Sequence, residues 1–174
     1  MKEAISIEKN KLLAKKFLHL VSEGNLDGIC EIISPDWRMH IGLGKAEIPQ
    51  GPEGMKKLFE TFGRIEQTWS INDVIAERDK VVVRATNNCL QENFFGIPSF
   101  GRSQIFTATF VHRIEDGKIQ ETWRNADDLG RVLQLGAKIQ PDDPEESSLP
   151  DTRFNTKMSW KKYIFYAFWW KRSY

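Results

Sequence analysis

The sequence is poor in cysteine and histidine, has no long apolar run, and shows no excess of either charge. Cys30 and Cys89 are its 2 cysteines in 174 residues. They lie far apart and lack a metal or redox spacing, which excludes a disulfide-stapled scaffold and a thiolate centre. They read as free thiols of a reducing compartment, and the cytoplasm is the expected location. Lys and Arg number 25 against 24 Asp and Glu, so nucleic acid is not an expected partner. No stretch reaches the ~18 apolar residues of a membrane-spanning helix. Residues 1–20 mix Lys with Glu where a signal peptide would carry an apolar core. There is no internal repeat, no glycine-rich phosphate loop and no cluster with metal-ligand spacing. No Ser/His/Asp order stands out. The expectation is a protein without metal or cofactor.

The length suits one domain able to bury its own core. Ser6 precedes a helical pattern in which Leu12, Leu13, Phe17, Leu20 and Val21 form an apolar stripe, ended by Gly24-Asn25. A short helix over residues 26–33 turns Ile29, Ile32 and Ile33 inward. A strand is expected over residues 37–42. Gly51-Pro52 opens a third helix with Met55, Leu58, Phe59 and Phe62 on its buried face. Strands then follow over residues 69–77 and 80–91, joined at Arg78-Asp79, and over 104–114 and 118–125, joined through Asp116-Gly117. Helices first and hairpins after is the α+β pattern, with helices on one face of a mostly antiparallel sheet.

Residues 137–159 carry Pro141, Pro144 and Pro150 with the acidic run Asp142-Asp143-Pro144-Glu145-Glu146, and read as a linker. Residues 160–174 form an aromatic and basic extension. Its segment from 160 to 170 is too short to span a bilayer, and it is apolar on two sides of a helix. It suits either packing onto the protein or peripheral contact with an anionic membrane surface.

Three local signatures stand out in order. Phe94-Phe95-Gly96-Ile97-Pro98-Ser99-Phe100-Gly101-Arg102 is a loop punctuated by glycine and proline. Asp116-Gly117-Lys118-Ile119 is a hairpin leading to Trp123. Residues 127–136 join an acidic pair to Gln134-Leu135-Gly136. Together they resemble the SnoaL-like polyketide cyclases, or ester cyclases, of the nuclear-transport-factor-2-like superfamily. The family pattern runs F-x-G-I-P-x-x-G-R, D-G-K-I-x-E-x-W and D-x-x-G-x-x-x-Q-L-G, and the resemblance covers roughly residues 7–136. It implies a cone-shaped, cystatin-like α+β barrel: a strongly curved sheet wrapped around the N-terminal helices over residues 1–136, with a deep apolar pocket. It also implies a homodimer and a hydrophobic small-molecule ligand.

By the same resemblance Asp127 matches the family's general acid/base. The reaction would be an intramolecular aldol closure of a polyketide-like ester, the work of a lyase or isomerase without cofactor. The residues themselves leave open that Asp127 or Asp128 only caps the following helix. His112 shares parity with Ala108 and Phe110 and is a candidate partner of Asp127, since an imidazole titrates near neutrality. It is equally readable as a histidine half-exposed on the outer face. His40 lies at the opposite parity from Trp37, Met39 and Ile41, and the family often carries a histidine in this strand near the pocket. Trp69 and Trp123 are candidate pocket walls, and Arg102 a candidate partner for an acidic ligand. Asn87-Asn88-Cys89 and Leu90-Gln91-Glu92-Asn93 depart from the family's usual runs and would alter the pocket rim. The rival readings are a non-catalytic binding module for an apolar ligand and a dimeric interaction protein.

Overall fold

A computed structural model describes residues 2–41, 48–63, 65–94 and 96–138. The linker from residue 139 on and the extension at 160–174, with its membrane expectation, lie outside the described residues. The elements run α1 (Lys2–Glu23), α2 (Leu26–Ile32), β1 (Ile33–Ile41), α3 (Gly51–Phe62), β2 (Glu66–Glu77), β3 (Lys80–Leu90), β4 (Asn93–Phe94), β5 (Ile97–Pro98), β6 (Gln104–Glu115), β7 (Lys118–Ala126) and α4 (Asp128–Gln134). No described helix is long and apolar enough to cross a membrane.

Five strands form one curved sheet in the order β1-β7-β6-β3-β2. All neighbours are antiparallel except β1, which runs parallel to β7. The sheet is open, with β1 and β2 as its edges, so the expected barrel is a partly wrapped sheet. β4 and β5 make a two-stranded hairpin inside the glycine- and proline-punctuated loop. Two further details differ from the sequence reading. Strand β1 begins at Ile33, directly after α2, and not near Trp37. Leu12 of α1 faces solvent, because the stripe that meets the sheet is Ala14, Phe17, Leu18 and Val21 at helical spacing.

The sheet's alternation sets the inside. Val81, Val83, Ala85, Asn87 and Cys89 of β3 are buried, as are Gln104, Phe106, Ala108, Phe110, His112 and Ile114 of β6. Helix α1 lies across this concave side, and Phe17 and Leu18 join the sheet residues in one core with Trp37 of β1. Helix α3 sits against β1. Gly51, at its first position, has a left-handed backbone with φ +65°, and a Cβ there would overlap the Pro35 carbonyl. Only glycine allows the two backbones to approach so closely.

Candidate active site

A cavity of about 770 Å³ opens between α1, α3, α4 and the concave sheet. Its walls are mostly apolar: Phe17, Met39, Met55, Leu58, Phe94, Trp69, Phe106 and Phe110 all contribute. Trp69 stands edge-on to Phe106 and Phe110, with ring centres 5.7 and 5.3 Å away. Such a wall suits a flat or hydrophobic ligand body.

Among the described residues, four carboxylates line the cavity. Glu23, Glu60 and Glu66 are exposed and belong to the mouth, whereas Asp128 is part-buried. Arg124 of β7 holds Asp128 in a two-pronged pair, Nη1 to Oδ2 and Nη2 to Oδ1, each at 3.0 Å. Their side chains are only 16% and 26% exposed respectively. A fork-on-fork pair of this kind fixes orientation as well as charge.

Arg131 closes the same end. It is 3% exposed and donates from Nε to Gln104 Oε1 at 3.2 Å and from Nη2 to Gln91 Oε1 and Cys89 Sγ. Its guanidinium lies 3.8 Å from the centre of the Phe94 ring and 4.8 Å from that of Phe106. Burial lowers the Arg131 pKa, and it raises that of the Cys89 thiol against the opposing pull of Arg131. A second polar set lies on β2 and β3. Gln67 Oε1 accepts from Trp69 Nε1 at 3.1 Å and from Asn87 Nδ2 at 3.0 Å.

The sequence candidates distribute differently from expectation. Asp127 does not point into the cavity. It is exposed, and its Oδ1 accepts from the Gly130 N–H at 2.7 Å as the N-cap of α4. A Cβ at Gly130 would overlap that carboxylate, so the D-x-x-G spacing is here a cap with room left for it. Asp128, one residue on, is the carboxylate that reaches the cavity.

His112 does face inward and is fully buried, but it sits behind the cavity wall and not in it. Its Nδ1 lies 3.0 Å from Thr122 Oγ1, which also accepts from Trp37 Nε1 at 3.1 Å. Whichever nitrogen carries the proton, the Nε2 edge has no hydrogen-bond partner among the described residues. Burial between Phe17 and Phe110 pushes its pKa down to about 3. The ring is therefore neutral near pH 7, and it does not meet Asp127.

His40 and Trp123 lie on the convex face, stacked with ring centres 4.7 Å apart. They line a shallow depression outside the main cavity, and His40 Nε2 lies 3.1 Å from Glu121 Oε2. Arg102 is away from the cavity too: its Nε donates to the Ser99 carbonyl at 3.0 Å, with its guanidinium beside Phe100. Of the candidates, Trp69 alone lines the main cavity. Arg124 and Arg131 were missed by the sequence reading, which weighed Asp128 only as the weaker of the acidic pair. Among the described residues no three His, Cys, Asp or Glu side chains come together as a metal site.

N-terminal helices backing a curved, open mixed sheet match the architecture of the nuclear-transport-factor-2-like superfamily. The model of the SnoaL-like polyketide cyclases matches residues 11–135, and the chain belongs to that family. Among solved structures it is similar to TsrD from Streptomyces laurentii at 27% identity and a TM-score of 0.64, covering 75% of this chain and 97% of that one. A putative polyketide cyclase from Acidithiobacillus ferrooxidans is 25% identical with a TM-score of 0.63, over 74% and 94% of the two chains. IdmH, a putative polyketide cyclase from Streptomyces antibioticus, is 26% identical with a TM-score of 0.61, over 74% and 99%. No curated protein matches the chain significantly.

Proposed function

We propose that the chain is a cofactor-independent acid/base enzyme acting on a hydrophobic, carbonyl-bearing small molecule, with Asp128 as the proton-carrying group. The observation that supports this is the placement of Asp128: the one lining carboxylate that is part-buried, set beside an aromatic wall. Each of its oxygens receives one N–H from Arg124 and keeps a second lone pair for a substrate proton. In an intramolecular aldol closure, the carboxylate takes a proton from an activated carbon between two carbonyls. The resulting enolate carbon attacks another carbonyl of the same molecule, forming the C–C bond and an alkoxide. The alkoxide then takes the proton back from Asp128, so atoms and charge balance without a co-reactant. Arg124 fixes the carboxylate in one orientation throughout, which is a positioning role.

A purified-protein test needs only an acidic C–H. A panel of aryl β-keto esters in deuterated buffer, followed by NMR, should show protein-catalysed exchange at the activated carbon. Asp128→Asn should lower that rate by ~100-fold or more. Exchange at the parent rate in Asp128→Asn would remove Asp128 from the chemistry. The bidentate grip of Arg124 also favours a second reading, a non-catalytic binding module, because a carboxylate so held is well satisfied at rest. Ligand binding without exchange across the panel is the result expected of that module.

A further inference from the structure

Arg131 is a buried cation whose charge no acid matches. Its partners among the described residues are two amide oxygens, a thiol sulfur and two ring faces. It forms no salt bridge, and its Nη1 carries no hydrogen bond, among the described residues. The nearby carboxylate, Asp128, is engaged on both oxygens by Arg124. The inner end of the cavity thus holds two guanidinium groups and one carboxylate, a net charge of one positive unit in apolar surroundings. An arginine stays charged in proteins, and a buried charge without a counter-ion is costly unless something supplies one. A stability role alone is better served by an apolar side chain in contact with Phe94 and Phe106.

We propose that Arg131 is the anchor for an anionic oxygen carried by the ligand, so that this cavity takes amphiphilic acids: an aromatic or otherwise apolar body with an ionised carboxylate or acidic enol at its inner end. The proposal rests on the cavity being a small-molecule site. With Nε and Nη2 taken by Gln104, Gln91 and Cys89, the Nη1 donors remain for one anionic oxygen of a carboxylate or an acidic enolate, in a charge-assisted hydrogen bond. The mouth does not oppose this. Its Glu23, Glu60 and Glu66 are exposed, where solvent and salt screen them, and Glu23 and Glu60 also lie beside His19 and Lys57.

The test is calorimetric titration of the full chain at pH 7 with 2-naphthoate and with 2-naphthamide, its neutral isostere. The acid is expected to bind at least about tenfold more tightly, as a charge-assisted pair replaces a neutral one. Arg131→Met should erase that preference while keeping amide binding. Because Arg131→Met removes a buried side chain, a second variant stands beside it. Arg124→Met with Asp128→Asn neutralises the neighbouring pair, leaves Arg131 as the sole inner charge, and should keep the preference. Equal affinities in the parent, no binding of the acid, survival of the preference in a folded Arg131→Met, or its loss in the double variant would each overturn the proposal. Failure here is separable from failure of the acid/base reading. Catalysed exchange that depends on Asp128, with no acid preference, would retain the chemistry and remove the anchor; the reverse pair of results would do the opposite.

Discussion

Lowering the pH should destabilise this protein through His112 before its carboxylates matter. The imidazole is fully buried, touches Phe17 and Phe110, and has no partner on Nε2 among the described residues. Its pKa falls from 6.5 to about 3 on folding, by desolvation. The unfolded chain therefore binds a proton below pH 6.5 that the native chain refuses until about pH 3. Stability is full above the unfolded value and falls as pH drops through this window, with a slope of about 1.4 kcal/mol per pH unit. Between pH 6.5 and 5 that amounts to about 2 kcal/mol, a large share of an ordinary domain's stability. The paired Glu121 acts later. Arg113 holds its pKa below the usual carboxylate value of 4.5, so its contribution is lost only as pH falls below that value. Urea unfolding at pH 8, 7, 6 and 5 should show the His112 slope in the parent. His112→Phe keeps a ring against Phe17 and Phe110 and removes the titrating group, so its stability should be nearly flat from pH 7 to 5. It should sit within about 1 kcal/mol of the parent at pH 8, the scale of one hydrogen bond. Parallel pH profiles for the two proteins would refute the buried, neutral imidazole.

Asp127 and Asp128 can be separated by stability and turnover together. Asp127→Ala should cost about 1 kcal/mol in urea unfolding through loss of the α4 cap, and Asp127→Asn much less, since asparagine also caps. Neither should change an exchange rate that Asp128→Asn is expected to lower by ~100-fold or more; a well-folded Asp127→Asn without activity would return the proton-carrying role to Asp127. A homodimer is expected through the convex sheet face, where Ile75, Val82, Val111 and Trp123 form a row across β2, β3, β6 and β7. Light scattering should give twice the 20.2 kDa chain mass, and Ile75→Asp should halve it. A parent that stays at the single-chain mass over a broad concentration range would contradict the pairing.

The order of helices and hairpins was legible because each element announces its own period and its own stop. Gly24-Asn25, Gly51-Pro52 and Asp116-Gly117 fall at the ends of α1, the start of α3 and the turn between β6 and β7. What the alternation could not convey was which face of β7 looks inward. Ile119 is buried, and counting in twos from it puts Glu121 and Trp123 inside. The ladder between β6 and β7, however, pairs Ile114 with Ile119 and Arg113 with Glu121. Strand β7 thus carries one extra residue, Gln120, and the bulge reverses the faces beyond it. Thr122 and Arg124 turn inward and Trp123 turns out, where it stacks on His40. A large apolar ring in an alternating strand is an ordinary core signal, so Trp123 drew attention while Arg124 was passed over. His40 was recoverable: Trp37, Met39 and Ile41 are its apolar alternates, and a strand cannot send both sets to one side.

The acidic pair shows how a motif's most recognisable residue can hold a structural post. In residues 127–136, Asp127 caps α4, Gly130 leaves space for the cap, and Leu135 is buried. Gln134 both donates to the Ile105 carbonyl and accepts from its N–H, each at 2.8 Å. Every one of these fixes where α4 begins and how it sits on β6. The positions between them carry Asp128 and Arg131, which face the cavity from the frame so built. A capping aspartate spends its carboxylate on backbone N–H groups at the helix start, and here it faces solvent. The next residue is the first inside the helix, and its side chain is free to turn toward the sheet. A displacement of one residue in the motif thus moves a carboxylate from solvent to cavity, which is why the proposed proton-carrying role falls to Asp128 and not to Asp127.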